Sequence, residues 1–559
     1  MKQIVFIVFL VSSTALFAQE DLNGLIAKLQ TSFSKVETAS KTYEQEIKLL
    51  EYSSVRYAYN EVDQKGGKIS YASEFNLADI DAYTVRQETQ KDIILVVLTV
   101  KNKQKLVKNY KNNEVQAYDN EVQLHVKDVD RAREVVDMIK KAIPIGEKIT
   151  AGKLKLKGYD EMVSWLQQNV KTVNLGSKSI NQTVAKDAYV GSLKLTQISS
   201  DGKASHQEDF VFNLADLNLN TINFKVSGNT FELEVETMQN QKIINLTRDG
   251  INKPFVSDFS FFANNVDEAR DIKTVLTLAV PLAVVKVKTD LPAPKTVEEA
   301  LKTLASLTKD VKINDKTYAQ AIIPKCITTF SVTEQAASST VANIYDFNWM
   351  DINPNGVKLQ VSGEKMSFEL PINNKGKLMA YKKNDKLSFE GDADITVSNF
   401  ETGRRIKVVI EKVVEGCKSS YKDPFANTST AMIEWLKGKV GEVTVDQNTR
   451  KQSLELAEAG NTNKLKYTNI ETKGSTSTEE VFEFNLSDIN PNSVDYSIKG
   501  KNIFVSFETN FKNKIIKAYK AGKIQPYAYS LDLAFQDIET ARGAIAALKK
   551  CAENLKSTK

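Results

Sequence analysis

Histidine and cysteine are nearly missing from this chain of 559 residues, with two of the first and three of the second. His125 and His206 are the two histidines. Triads built on histidine need an imidazole held beside a nucleophile, and neither position has a counterpart elsewhere in the repeated pattern described below. No H-E-x-x-H, no paired C-x-x-C and no G-x-x-x-x-G-K occurs, so zinc and nucleotide chemistry lack their usual marks. No metal or cofactor is expected. A carboxylate pair acting on sugars needs no fixed spacing and escapes this test. Strong net charge is also missing. There are 75 Lys+Arg against 70 Asp+Glu, or +5, too little to draw nucleic acid or anionic membrane. Beyond the N-terminus no apolar run approaches the ~20 residues of a spanning helix. Val275 to Val287 is short and contains Pro281.

What is present begins with a bacterial-type secretory leader, residues 1–18. Lys2 is its charge, Ile4 to Leu10 its apolar core, and Ala15-Leu16-Phe17-Ala18 its cleavage region. No cysteine follows the site to carry a lipid anchor. The mature chain is expected to be soluble, in a periplasm or outside the cell.

One stretch then recurs four times: F-N-L-A-D-I from Phe75, F-N-L-A-D-L from Phe212, F-N-W-M-D-I from Phe347 and F-N-L-S-D-I from Phe484. The starts lie 137, 135 and 137 positions apart. Such a period implies four tandem copies of one domain, with boundaries 19–150, 151–290, 291–420 and 421–559. Each copy opens on an amphipathic helix, as Met162, Trp165, Leu166, Val170 and Met432, Trp435, Leu436, Val440 show by their spacing. Alternating strands follow, such as Phe482, Phe484, Leu486. The motif Asn and Asp end that strand in a turn. An apolar residue comes next (Val85, Ile222, Val357, Val494), then a hairpin glycine (Gly228, Gly363, Gly500). Copy one has Lys91 there, which predicts a different turn. A second hairpin carries a cation: Lys111, Arg248, Lys382 or Lys520. In copy four Tyr527, Tyr529 and Leu531 predict one last strand. A closing helix begins at D-R-A-R (Asp130), D-E-A-R (Asp267), E-T-G-R (Glu401) and E-T-A-R (Glu539). Pro144 and Pro281 are expected to end or kink two of these helices.

The predicted fold is therefore α+β. Each of four repeats has an N-terminal helix, a curled antiparallel sheet of about six or seven strands, and a closing C-terminal helix. This element order, with the D-x-E-x-A-R start of the last helix, resembles the pleckstrin-homology-like superfold. That resemblance implies a binding module but no particular ligand.

Two sets of residues recur in all four copies. Asp79, Asp216, Asp351 and Asp488 end the motif, and Arg133, Arg270, Arg404 and Arg542 begin the closing helix. They are expected to pair within each copy as a structural tie, with a fourfold anion site as the alternative. Lys111, Arg248, Lys382 and Lys520 are read as solvated tips, or as a ligand or partner contact. Trp165 and Trp435 are expected in the core, and Trp349 in place of a core leucine. Cys326 and Cys417 share copy three, so export would allow them to bridge; three buried thiols are the alternative. The leading function is a non-enzymatic exported tandem-repeat protein that binds or scaffolds a protein or other component of the cell envelope. A carrier or sensor for an apolar or anionic small ligand, between sheet and closing helix, is the alternative, and an envelope-polymer enzyme the second.

Overall fold

A computed structural model describes residues 11–557 except 34, 177, 228 and 229, with backbone alone at 11–20, 227 and 557. The leader assigned to residues 1–18 lies outside these up to residue 10, and Gly228 is outside them too. The chain divides into two compact units, Met1–Leu291 and Pro292–Lys559. Each unit holds two of the four repeats of the motif.

The same order of elements recurs four times. The helices are α1 (Val11–Ser32), α2 (Val129–Gly152), α3 (Tyr159–Asn169), α4 (Val266–Asp290), α5 (Val297–Leu307), α6 (Phe400–Ser420), α7 (Ser429–Lys439) and α8 (Ile538–Ser557). Odd-numbered helices open a copy and even-numbered ones close it. Between them lie two antiparallel sheets, one of six strands and one of three, in each copy. A single curled sheet of six or seven strands is thus not what forms. The reason is visible in copy four. Tyr527 lies in the strand Lys523–Ala528 of the six-stranded sheet, and Leu531 in Ser530–Phe535 of the three-stranded one. The run read as one strand changes sheets at Tyr529, and burial alternation alone does not reveal such a switch.

The motif has one setting in all copies. Its Asn ends a strand and precedes a 3-10 turn, and the next residue is buried at the centre of the copy. That residue is Leu77, Leu214, Trp349 or Leu486, each fully buried. Burial of such a side chain contributes about 1.5–3 kcal/mol. Trp349 thus takes the leucine's place as expected. Trp165 and Trp435 are only partly buried, at the edge of their cores. Val85, Ile222, Val357 and Val494 are all buried.

At the first hairpin Gly363 and Gly500 have φ of 60° and 62°. Lys91 has φ 53°, so copy one makes the same left-handed turn with a residue that is strained in it. Pro144 and Pro281 do not end their helices, which run on to Gly152 and Asp290. Packing of Gly146 and Ile149, and of Ala283 and Val287, holds the turns beyond each proline. In α6, Gly403 stands where the other closing helices have alanine. A Cβ there would meet the Phe368 ring at 1.8 Å, so the larger ring of copy three requires the glycine.

Cys326 and Cys417 are bridged, with Cα atoms 5.5 Å apart. Cys326 lies in the bend before the strand Ile327–Ala336, not in a strand, and Cys417 near the end of α6. The bond ties the closing helix of copy three to its sheet. Cys551 is a buried thiol whose pKa burial pushes up to about 12.

Candidate functional site

The recurrent Asp and Arg do meet, but across copies. Arg270, in the first turn of α4 in copy two, reaches Asp79 of copy one. Its Nε donates to the two carboxylate oxygens at 3.2 and 3.1 Å, and its Nη2 to one of them at 2.5 Å. Asp267 takes the remaining nitrogen. In the second unit Arg542 of copy four donates to Asp351 of copy three, Nη1 at 2.7 Å and Nη2 at 2.5 Å. Glu539 steadies the guanidinium at 3.1 and 3.0 Å. Both pairs span 191 residues. The expectation of pairing within a copy is therefore wrong for these four residues. In these two closing helices the residue before the Arg, Ala269 or Ala541, is fully buried. One residue further round the helix is a turn of about 100°, which aims the Arg away toward the preceding copy.

Both joints are largely out of water, with side-chain exposures of 9% and 13% for Arg270 and Asp79, and 10% and 8% for Arg542 and Asp351. Burial opposes the charge of Arg270, yet Asp79 and Asp267 outweigh it and hold the guanidinium above its ordinary range. The same balance, with Asp351 and Glu539, applies to Arg542. A bidentate, charge-assisted pair of this kind fixes orientation as well as distance.

The remaining four members have the following settings. Arg133 is 67% exposed and bonded to Asp130 three residues earlier. Arg404 is bonded to Glu401, also three residues earlier. Asp216 lies in the 3-10 turn Leu214–Asp216. Asp488 accepts from Asn485 Nδ2 at 3.0 Å. Of the turn cations, Arg248 and Lys520 pair with Glu208 and Glu480 directly across the ladder. Lys111 reaches toward the Tyr71 ring at 5.9 Å, and Lys382 lies opposite Ile344.

A recurrent residue that the spacing did not bring out is a glutamine in the second strand of three copies. Gln182, Gln320 and Gln452 each bond both the N–H and the C=O of one residue in the last strand of the three-stranded sheet: Phe262, Thr396 and Ala534, at 2.8–3.0 Å. The side-chain amide replaces a strand partner and stitches the two sheets. Its signal in sequence is a lone Gln among alternating apolar residues. In copy one the stitch is made through Tyr57, whose hydroxyl donates to Gln45 Oε1 at 2.5 Å and accepts the His125 N–H at 3.1 Å.

Copy one also carries an open groove of about 330 Å³ on the outer face of its six-stranded sheet. Ala58 and Ala72 form its floor, Glu44 and Glu46 one wall, and Arg56 and Tyr110 the other. Small residues on two adjacent strands, Ala58 on one and Ser70 and Ala72 on the next, leave the trough. Arg56 lies over the Tyr110 ring at 4.9 Å and is bonded to Glu74 at 2.5 Å, while the Tyr110 hydroxyl donates to Glu74 at 2.8 Å. That wall is therefore locked; on the opposite wall Glu44 is met by Lys68 Nζ at 3.5 Å, and exposed Glu46 faces solvent.

A second cavity of about 330 Å³ lies in the joint between copies one and two, lined by Val100, Leu106, Phe224, Leu278 and Lys273. Burial holds the Lys273 ammonium below its ordinary range. Carboxylates gather on one strand of copy three, where Asp392 and Asp394 point away from the core. Burial and then neighbouring acids raise Asp392; burial raises Asp394. Among the described residues no group of three or more His, Cys, Asp or Glu could hold a metal. No helix among them is long and apolar enough to cross a membrane. No known family model matches the chain, and no curated protein matches it.

Proposed function

We propose that this chain is a non-enzymatic, exported protein of four tandem domains that binds or scaffolds another macromolecule of the cell envelope. The groove on the first copy is the observation that carries the reading. It is open along the strands, polar and aromatic rather than deep and apolar, and acidic on one wall. An extended protein segment with a basic side chain suits it. The Cys326–Cys417 bridge supports an oxidising compartment outside the cytosol. Repetition of one domain supports scaffolding, because weak contacts add through effective concentration. The resemblance to pleckstrin-homology-like binding modules points the same way, although each copy has two sheets where one curled sheet was expected. The cavity holding Lys273 favours the second reading, a site for a small anionic or apolar ligand, but its place is between copies and not between a sheet and its own helix.

The test is site-specific photo-cross-linking in intact cells. A photoreactive residue at Asn60, in the groove, is expected to capture one envelope protein, and the same probe at exposed Lys451 is not. Filling the trough with Ala72→Arg should abolish the adduct. Equal capture from both positions, or an adduct indifferent to Ala72→Arg, would overturn the groove as the binding surface.

A further inference from the structure

The joints show what each copy offers on two faces. One face presents the motif Asp and receives an arginine. The other presents an arginine already held by an acid three residues earlier. Asp79 with Arg270, and Asp351 with Arg542, are the two faces joined. Copy one displays the arginine face openly. Arg133 is exposed, and Asp130 holds it at 2.9 Å just as Asp267 and Glu539 hold the joined arginines. Copy four displays the Asp face openly. Among the described residues Asp488 is met by no arginine.

Three further observations mark the Asp face of copy four as half of a joint. In the other copies the motif Asn is buried and its side-chain oxygen accepts from the backbone two residues on. Asn485 is instead only partly buried and turns its amide to Asp488, supplying the donor that an arginine supplies in the joints. Ile515 stands where copies one and three have Leu106 and Leu378. Those two are buried, whereas Ile515 is 45% exposed. Four residues before it in the chain, Phe511 is 94% exposed, with φ 57°. Tyr527 is exposed at the position of Tyr118, whose ring packs edge-on against Phe231 across the first joint. Exposed apolar side chains gathered around one carboxylate mark a contact surface.

We propose that the Asp488 face of one molecule docks on the Arg133 face of a second copy of this chain, repeating the joint between copies. Charges of opposite sign and one known geometry support this occupant. Gln87 stands in copy one where the joined copies two and four have Phe224 and Tyr496, so this joint is weaker and reversible. It is heterologous, using different patches on the two molecules, and therefore builds chains or rings, not isolated twofold dimers.

The experiment is sedimentation velocity on the full chain over a concentration series. Wild type is expected to self-associate with rising concentration. Asp488→Arg and Arg133→Asp each place like charges at the contact and should weaken association by roughly tenfold or more. Mixing these two variants restores opposite charges at every contact, so association should return. Ile515→Glu, which leaves both charges in place, should also weaken it, and circular dichroism checks that each variant is folded. A wild-type chain that stays monomeric throughout would overturn the proposal. So would association that survives Arg133→Asp, because the arginine face would then belong to some other partner.

Discussion

Acid should destabilise the first copy through one buried histidine. His125 lies in the strand Glu121–Val126 with only 8% of its surface exposed. Its Nδ1 is 2.8 Å from the Tyr57 hydroxyl, and it is stacked on Tyr43 and met edge-on by Tyr59. Burial lowers its pKa from 6.5 to about 4. No carboxylate enters that balance, so protonation would place an uncompensated charge among aromatic rings. Because the folded value is the lower one, the stabilising contribution is complete above about pH 6.5. It falls as pH drops and is gone below about 4. The difference between those values corresponds to about 3 kcal/mol. With two histidines in the chain, a ring-proton NMR titration resolves both. Pulsed hydrogen exchange of residues 121–126 across a guanidinium series then reads local stability between pH 4 and 7. His125→Phe, the residue that copy two has at Phe262, should remove most of that pH dependence. A His125 that titrates near pH 6.5, or a variant that keeps the acid sensitivity of wild type, would refute the reasoning.

Removing the sheet stitch should cost more than an ordinary polar substitution. Gln452→Leu leaves the Ala534 N–H and C=O unpaired in a buried place, an expected loss of about 3–5 kcal/mol measurable by guanidinium unfolding of the second unit. A loss under about 1 kcal/mol would mean that the sheets hold without it. Reducing the Cys326–Cys417 bridge releases a loop spanning 91 residues. It should lower the stability of copy three by up to about 4–5 kcal/mol, seen as earlier hydrogen exchange in α6; exchange unaffected by reductant would contradict this.

Much of the fold was legible because it repeats. Spacing located the motif, both helices of each copy, and the apolar positions after the motif. Two cysteines sharing a copy made Cys326–Cys417 the favoured bridge, with three buried thiols as the alternative that the structure removes. The partition into two sheets was not legible, because the strand change at Tyr529 leaves no break in the alternation. Lys91 was misread because a lysine is a poor residue for positive φ, and the sheet on either side imposes it. Gln182, Gln320 and Gln452 carry no legible signal, because a glutamine in a strand has no message until its partner strand is known. The Asp–Arg pairing was misassigned between copies for a deeper reason. Recurrence shows that two residues belong together, but in a tandem protein it does not show whose copy supplies each one.

That last point is the central claim, and a double-mutant cycle on the second unit tests it most directly. Arg542→Ala is combined with Asp351→Ala in one cycle and with Asp488→Ala in the other, within the full chain, and unfolding free energies are measured by guanidinium. Breaking the buried pair from either side should cost about 3–5 kcal/mol. The across-copy cycle is expected to show a coupling of about 2–3 kcal/mol, and the within-copy cycle to be additive to within about 0.5 kcal/mol. Coupling between Arg542 and Asp488, with additivity between Arg542 and Asp351, would contradict the head-to-tail joint.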